Sequence, residues 1–334
     1  MTTLPQIRQA PWYPGQMGVS GSDVQRGLRW APTGIVLYVD ENHPGATAVG
    51  DGTNPEYPLT TITQAIANLI SFETAMSVSL DGSVIVVGAG ATIAETVVIP
   101  GTAPTNCKIL GAGIGVDAPT WTAATAAGTA LTVRQSGWTV EGFRFNVGAE
   151  GTAIRLDWVP GSGYVGNRTL ITGNYFDGQY VGKFGIDLNG APYDTWIVGN
   201  SFRELQSAGA DAFAIYCSGS SEADPYMAVI RDNIFWENEN HIGSLNHDYG
   251  FNVSIVQGNT FKSGIGIATT LFLDLRGGSV GENTVTQNVF EGDYANAGGY
   301  YANAGAPGNW VGNIAEDVAS PQVADNGFTV AVPA

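Results

Sequence analysis

Five stretches of this chain decide its architecture: Asn174-Tyr175-Phe176, Asn200-Ser201-Phe202, Asn233-Ile234-Phe235, Asn259-Thr260-Phe261 and Asn288-Val289-Phe290. Apolar residues precede each one. The Asn positions follow at intervals of 26, 33, 26 and 29 residues, and a degenerate copy, Asn313-Ile314, comes 25 residues later. Gly142-Phe143-Arg144-Phe145 reads as an earlier copy. Self-similarity of this kind marks a solenoid or a propeller, and a propeller blade needs roughly 40 residues for its four strands, which excludes it here. Each unit holds a second short strand: Ala153 to Leu156, Gly185 to Leu188, Phe213 to Tyr216 and Leu271 to Asp274. Apolar and polar residues alternate there, which predicts one face turned inward and the other to solvent. Without crossover helices, short strands at this period predict coils stacked in parallel. Asn side chains would then hydrogen-bond up a corner, and Phe above Phe would fill the core. The expected fold class is all-β: a right-handed parallel β-helix with one N-terminal capping helix and an extended N-terminal arm.

The composition agrees. The chain has 334 residues, with 46 glycines lacking a collagen-like period, 44% apolar residues and only 13% charged ones. Glycine at about twice its usual share serves tight corners, and the apolar content excludes a disordered chain. Net charge is −17, and the only lysines are Lys108, Lys183 and Lys262. Such a surface repels phosphate backbones and anionic membranes, so neither nucleic acid nor a membrane is an expected partner. No apolar run reaches the ~18 residues of a membrane span, and Met1 to Gln16 has no apolar centre of a secretory leader. Cys107 and Cys217 stand alone, without metal-ligand spacing, and read as buried thiols. No metal or cofactor is expected.

Four segments follow: 1–35, an extended docking arm; 36–80, an opening strand, loop and capping helix; 81–315, the β-helix; and 316–334, a C-terminal cap or tail. The arm carries Arg8, Arg26 and Arg29 against Asp23 alone, leaving −19 on the remainder. Rich in Pro and Gly, it cannot bury its own apolar surface. We expect it to dock on a partner subunit through Arg8, Trp12, Tyr13, Arg26, Arg29 and Trp30, since Trp, Tyr and Arg dominate interface hot spots. Ile62, Ala65, Ile66, Leu69 and Ile70 recur at helical spacing, with Thr60 or Thr61 as N-cap. This helix should cover the open end of the stack.

Tyr38-Val39-Asp40, Asp51-Gly52-Thr53, Pro58-Leu59 and Thr61-Ile62 with Ala65-Ile66, followed by the Asn-x-Phe coils, resemble the cap and body of pectin-lyase-like β-helix proteins. More narrowly, an arm ending in Gln25-Arg26-Gly27-Leu28-Arg29-Trp30 ahead of that cap is similar to β-helix proteins of tailed-bacteriophage particles. The resemblance implies a structural virion protein on the particle surface. Its partners would be other virion proteins of capsid or tail, and it would form a homotrimer. A short body without an obvious C-terminal trimerisation module favours a capsid-bound head decoration. The alternatives are a polysaccharide-degrading tail spike, acting as lyase or glycoside hydrolase, and a carbohydrate-binding adhesin that meets a cell-surface glycan without catalysis.

Catalytic residues are not evident. The Trp-Ile-Asp-His and Arg-x-Pro-x-x-Arg segments of pectate-lyase-type enzymes are missing. So are the Asn-Thr-Asp, Asp-Asp, Gly-His-Gly and Arg-Ile-Lys segments of polygalacturonase-type hydrolases. A hydrolase needs two carboxylates ~5–9.5 Å apart. Asp157, Asp187 and Asp211 lie in or near second strands, where Asp157 and Asp187 would face one another if the register aligned; outward, solvated positions on different registers are the simpler expectation. The densest polar run is Trp236-Glu237-Asn238-Glu239-Asn240-His241, followed by His247-Asp248. It reads as a polar corner between coils, and Glu237, Glu239 and Asp248 are its weak catalytic candidates. Tyr180, Tyr193, Trp196, Tyr226, Trp236, Tyr249, Tyr300 and Tyr301 are candidates for an exposed aromatic surface, and Ser218 to Pro225 for a protruding loop.

Overall fold

A computed structural model describes residues 34–158, 166–190, 192–209, 211–218, 225–244, 250–262, 269, 271–275, 283–291 and 310–315. The arm anchors Arg8, Trp12, Tyr13, Arg26, Arg29 and Trp30 lie outside the described residues, as do Asp248, Tyr249, Tyr300, Tyr301 and most of the loop from Ser218 to Pro225. Within them the chain coils into a right-handed parallel β-helix with sheets of ten, nine and seven strands, the strands of neighbouring coils pairing in parallel.

The register places one apolar column inside each sheet. In the first sheet it runs Leu37, Ile85, Ile109, Val140, Ile171, Ile197, Ile230, Val256 and Val285, all fully buried. In the second it is aromatic: Trp121, Phe145, Phe176, Phe202, Phe235, Phe261 and Phe290 stack with centroids 4.6–5.4 Å apart. Stacked rings at this spacing add to the area they bury.

The corner between these sheets explains the repeat. Each ladder Asn follows a residue with positive φ: Gly173 (62°), Gly199 (66°), Asp232 (56°), Gly258 (64°), Gln287 (57°) and Gly312 (69°). Glycine takes this left-handed turn without a Cβ penalty, and so dominates the position. The turn aims the Asn side chain inward. Asn200 Nδ2 donates to Ile171 O (2.9 Å) and to Asn233 Oδ1 (3.1 Å), and the Asn200 N–H donates to the same Oδ1 (2.9 Å). The pattern recurs from Asn174 to Asn313. The earlier copy joins it, the Phe143 N–H donating to Asn174 Oδ1 at 3.0 Å.

The helix Ile62–Met76 packs on the first strands and buries Ile62, Ala65, Ile66 and Leu69. Thr61 is its N-cap, accepting from the Gln64 N–H at 3.2 Å. Glu95, from the loop between two strands, accepts from the N–H groups of Ile62 (2.8 Å) and Thr63 (3.1 Å). A carboxylate there satisfies orphan donors and meets the positive end of the helix dipole. Cys107 and Cys217 are buried and free, and burial pushes the Cys107 thiol up to about 12. Among the described residues no helix is long and apolar enough to cross a membrane.

Two expectations need correction. The second strands do not present one face to solvent throughout, for Phe184–Leu188 is buried at all five positions. Its outer side is covered by a stack of Phe184 on Tyr216 (4.4 Å) and by polar bonds around Asp187. Nor is the polar run Trp236 to His241 only a corner between coils. Asn238, Glu239, Asn240 and His241 are buried, and Asn240–Gly243 is a strand. His241 lies in the core between Phe235, Phe261 and Phe272, and burial lowers its pKa to about 3.

Candidate functional site: the outer face of the second sheet

The three aspartates near second strands do not form an acid pair. Register sets Arg155, not Asp157, opposite Asp187. Asp187 is buried and bound by Arg155 Nε (2.8 Å) and the Ser218 hydroxyl. Burial raises its pKa while Arg155 and Ser218 oppose the rise. Asp157 bonds Arg134 Nε (2.9 Å) and Asn189 Nδ2 (2.9 Å). Asp211 binds Lys183 and Ser207, whose bonds hold its carboxyl below the usual range against desolvation. The outward solvated positions expected for them are instead bonded, and Asp187 is nearly sealed.

Glu237 and Glu239, two residues apart, are separated by the fold. Glu239 turns inward, accepting from the N–H groups of Ser207 and Ala212 at 3.2 Å each. Desolvation raises its pKa, the two backbone bonds oppose the rise, and the charges of Asp211 and Glu150 add to it. This is a structural acceptor closing a corner. Glu237 turns outward, on the turn after the strand Ile234–Trp236.

Its companion is Glu204. Arg203 pairs with Trp236 across adjacent coils, so Glu204 and Glu237 hold equivalent places one coil apart, where stacked strands are ~4.8 Å apart. Both have positive φ, 57° and 54°, a conformation that non-glycine residues adopt at a price in strain. The Tyr180 hydroxyl donates to Glu237 Oε2 at 3.3 Å, and its backbone N–H to Glu204 O at 2.9 Å. Desolvation, followed by the charges and hydrogen bonds of both carboxylates, raises the Tyr180 pKa. Arg203 pairs with Glu204 and places its guanidinium 5.0 Å from the Trp236 ring centre. Two coils earlier Arg144 lies 5.5 Å from the Tyr175 ring and binds Asp177 at 2.7 Å. Tyr180 and Trp236 are 44% and 40% exposed, so the aromatic rings beside Glu237 are open to a ligand, whereas Glu204 is buried against Arg203.

Such a surface offers a carboxylate, Glu237, to hydroxyl groups beside aromatic rings. Glu204 escaped sequence reasoning, although it was findable: Glu204 and Glu237 each stand four residues after a ladder Asn. A second aromatic group, Tyr193, Trp196 and Tyr226, is exposed on the first sheet, with Tyr193 bridged to Tyr226 one coil on. Among the described residues no cluster of His, Cys, Asp and Glu fits a metal ion.

Comparison with known proteins defines the fold class. No protein-family model matches the chain, and no curated protein matches it in sequence. Solved structures do. Pectin methylesterase from Aspergillus niger superposes over 91% of this chain and 92% of its own, at 14% identity and a TM-score of 0.52. An alginate lyase from Paenibacillus sp. str. FPU-7 covers 68% of this chain and 74% of its own at 16% identity, with a TM-score of 0.49. ORF18 of Geobacillus virus E2 covers 81% of this chain at 14% identity and a TM-score of 0.49, and this chain spans 55% of its length. At these identities the likeness concerns the fold alone, a parallel β-helix, which hosts many unrelated activities.

Proposed function

We propose that this chain is a structural protein of a bacteriophage particle, a capsid-bound ornament displayed on the virion surface as a homotrimer. The observation that carries the reading is the unbroken ladder of buried Asn side chains and stacked rings from one coil to the next. It makes a rod whose backbone groups are paired internally and whose rigidity needs no ligand. An arm holding Arg8, Trp12, Tyr13, Arg26, Arg29 and Trp30 ahead of such a rod supports attachment to other virion proteins by that end. An acidic exterior limits self-association of the exposed part.

Quantitative mass spectrometry of purified particles tests it through the number of copies per major shell subunit. Hundreds of copies are expected, and absence from particles overturns the proposal. A few to a few dozen would point to the second reading, a tail spike that binds or degrades a glycan. The specific observation favouring that reading is the exposed face of Glu237, Tyr180 and Trp236. A glycan array compared with Trp236→Ala and Glu237→Gln tests it: retention lost in both variants supports a saccharide site, and equal retention removes it.

A further inference from the structure

The outer face of the first sheet turns apolar along its later coils. The inward column there is Ile197, Ile230 and Val256, so the alternate positions Trp196, Val198, Val229 and Ile255 look outward. The turns that lead into these strands add Tyr193 and Tyr226, bridged one above the other, and then Met227 and Val253. Register thus gathers Tyr193, Trp196, Tyr226, Met227, Val253 and Ile255 on three successive coils, each of them 38–46% exposed. At ~200 Å² for an aromatic side chain and ~120 Å² for an aliphatic one, six side chains open by about two-fifths offer roughly 400 Å² of apolar surface. A standard interface takes ~800 Å² from each partner, about 60% of it apolar, so this patch supplies most of that share.

We propose that copies of this chain meet through this face, around Trp196, with these six side chains buried between them. The inference rests on the self-association proposed above and names the surface that builds it. Charge selects the face. A chain of net charge −17 repels its own copies, but here the charges cancel, Arg168 pairing with Asp194 and Arg231 with Asp232. The outward columns of the second sheet instead carry Arg144, Asp177, Arg203, Lys262 and Glu291, which a contact there would have to desolvate. Backbone strain agrees. Met227 and Val253 have positive φ, 58° and 51°, where a β-branched residue is an outlier and glycine sits at ease. Within one copy both side chains stay largely open to water, and burial against a neighbour offsets that strain. The aliphatic Met227, Val253 and Ile255 suit a protein surface better than a sugar, whose hydroxyls call for polar partners.

Sedimentation of the full chain at micromolar concentration tests this. The wild type should show the mass of three chains, and Trp196→Glu/Ile255→Glu the mass of one, with the far-ultraviolet circular dichroism unchanged. Val253→Gly is the second variant. It relaxes the strained turn, so the fold should persist while assembly weakens about tenfold through the lost apolar contact. An oligomer whose dissociation neither variant changes overturns this face and leaves the homotrimer standing. A wild type that sediments as a single chain overturns both, and its retention on a glycan array through Trp196 would assign the patch to a saccharide instead. A dimer that the variants dissolve supports the face and removes the three-fold arrangement.

Discussion

Replacing Asn233 by alanine tests the ladder where it is fully enclosed. The side chain makes four bonds in two directions. Its Oδ1 accepts from the Asn200 N–H (2.9 Å) and from Asn200 Nδ2 (3.1 Å), while its Nδ2 donates to Ile197 O (2.9 Å) and Asn259 Oδ1 (3.0 Å). Alanine removes all four. Asn200 Nδ2 retains Ile171 O, and Asn259 Oδ1 retains the Asn233 backbone N–H, so those two atoms are still partnered. The Asn200 N–H loses its acceptor and Ile197 O loses a donor, in a corner where Asn200, Asn233 and Asn259 are at most 2% exposed. A stranded buried group costs about 1–3 kcal/mol, and each lost bond to a still-partnered atom about 1 kcal/mol, so two of each total near 4–8 kcal/mol. That is a large part of the ~5–15 kcal/mol that holds an ordinary domain together. Urea denaturation followed by tryptophan fluorescence should show the midpoint falling accordingly. Asn233→Asp should be no better at pH 7, because a carboxylate cannot donate to Ile197 O, and should recover in part once acid protonates it. A loss below about 1 kcal/mol for alanine would refute the account of the corner as a set of obligatory bonds.

Other perturbations probe other layers. His241 binds no proton in the folded core until pH falls to about 3, whereas the unfolded chain takes one up near 6.5. The unfolded state therefore binds more protons between these values, so stability is flat above pH 6.5 and falls with acid by up to about 1.4 kcal/mol per pH unit. His241→Leu should remove that share of the slope in denaturation midpoints taken at pH 7, 5 and 4; an unaltered slope argues against a neutral core imidazole. Arg155→Ala should destabilise by about 2–3 kcal/mol, because it strands the nearly sealed Asp187 while Arg155 itself is partly open to water; thermal melts of the single and Asp187→Asn double variants should show the second change restoring part of the loss. Glu95→Ala should cost about 1–2 kcal/mol by uncapping the helix, and faster amide exchange at Ile62 and Thr63 would report it.

How much of this was readable depended on whether a side chain had to do the same task in every coil. The ladder Asn and the stacked Phe answer a geometric demand that returns with each turn, so their spacing disclosed the fold. The helix was equally plain, because Ile62, Ala65, Ile66 and Leu69 face one way. Asp157 and Asp187 were misleading, since register is not conserved around a coil: Phe145 meets Phe176 after 31 residues, but Ile154 meets Ile186 after 32. Asp157 and Asp187 are 30 residues apart, so the 32-residue step sets Asp157 two places off, beside Asn189. Asn238 to His241 misled for another reason. Polar residues look solvated in a sequence, yet here Asn238 accepts from the Leu205 N–H (3.1 Å) and donates to Phe202 O (3.1 Å), groups contributed by the preceding coil. Glu204 was legible from the repeat, four residues after Asn200 as Glu237 is after Asn233, and only its contacts across coils were not.

The ladder also sets an order of assembly. Asn174 finds its successor 26 residues on, and later steps take 33, 26, 29 and 25 residues. Closing loops of that size is fast beside the seconds a ribosome needs to make the next coil. The helix-capped end emerges first and presents a finished edge, so each new coil has a template waiting as it leaves the exit tunnel. Growth of the rod can then follow synthesis one coil at a time, much as a crystal face adds layers, with a single unpaired edge exposed at any moment.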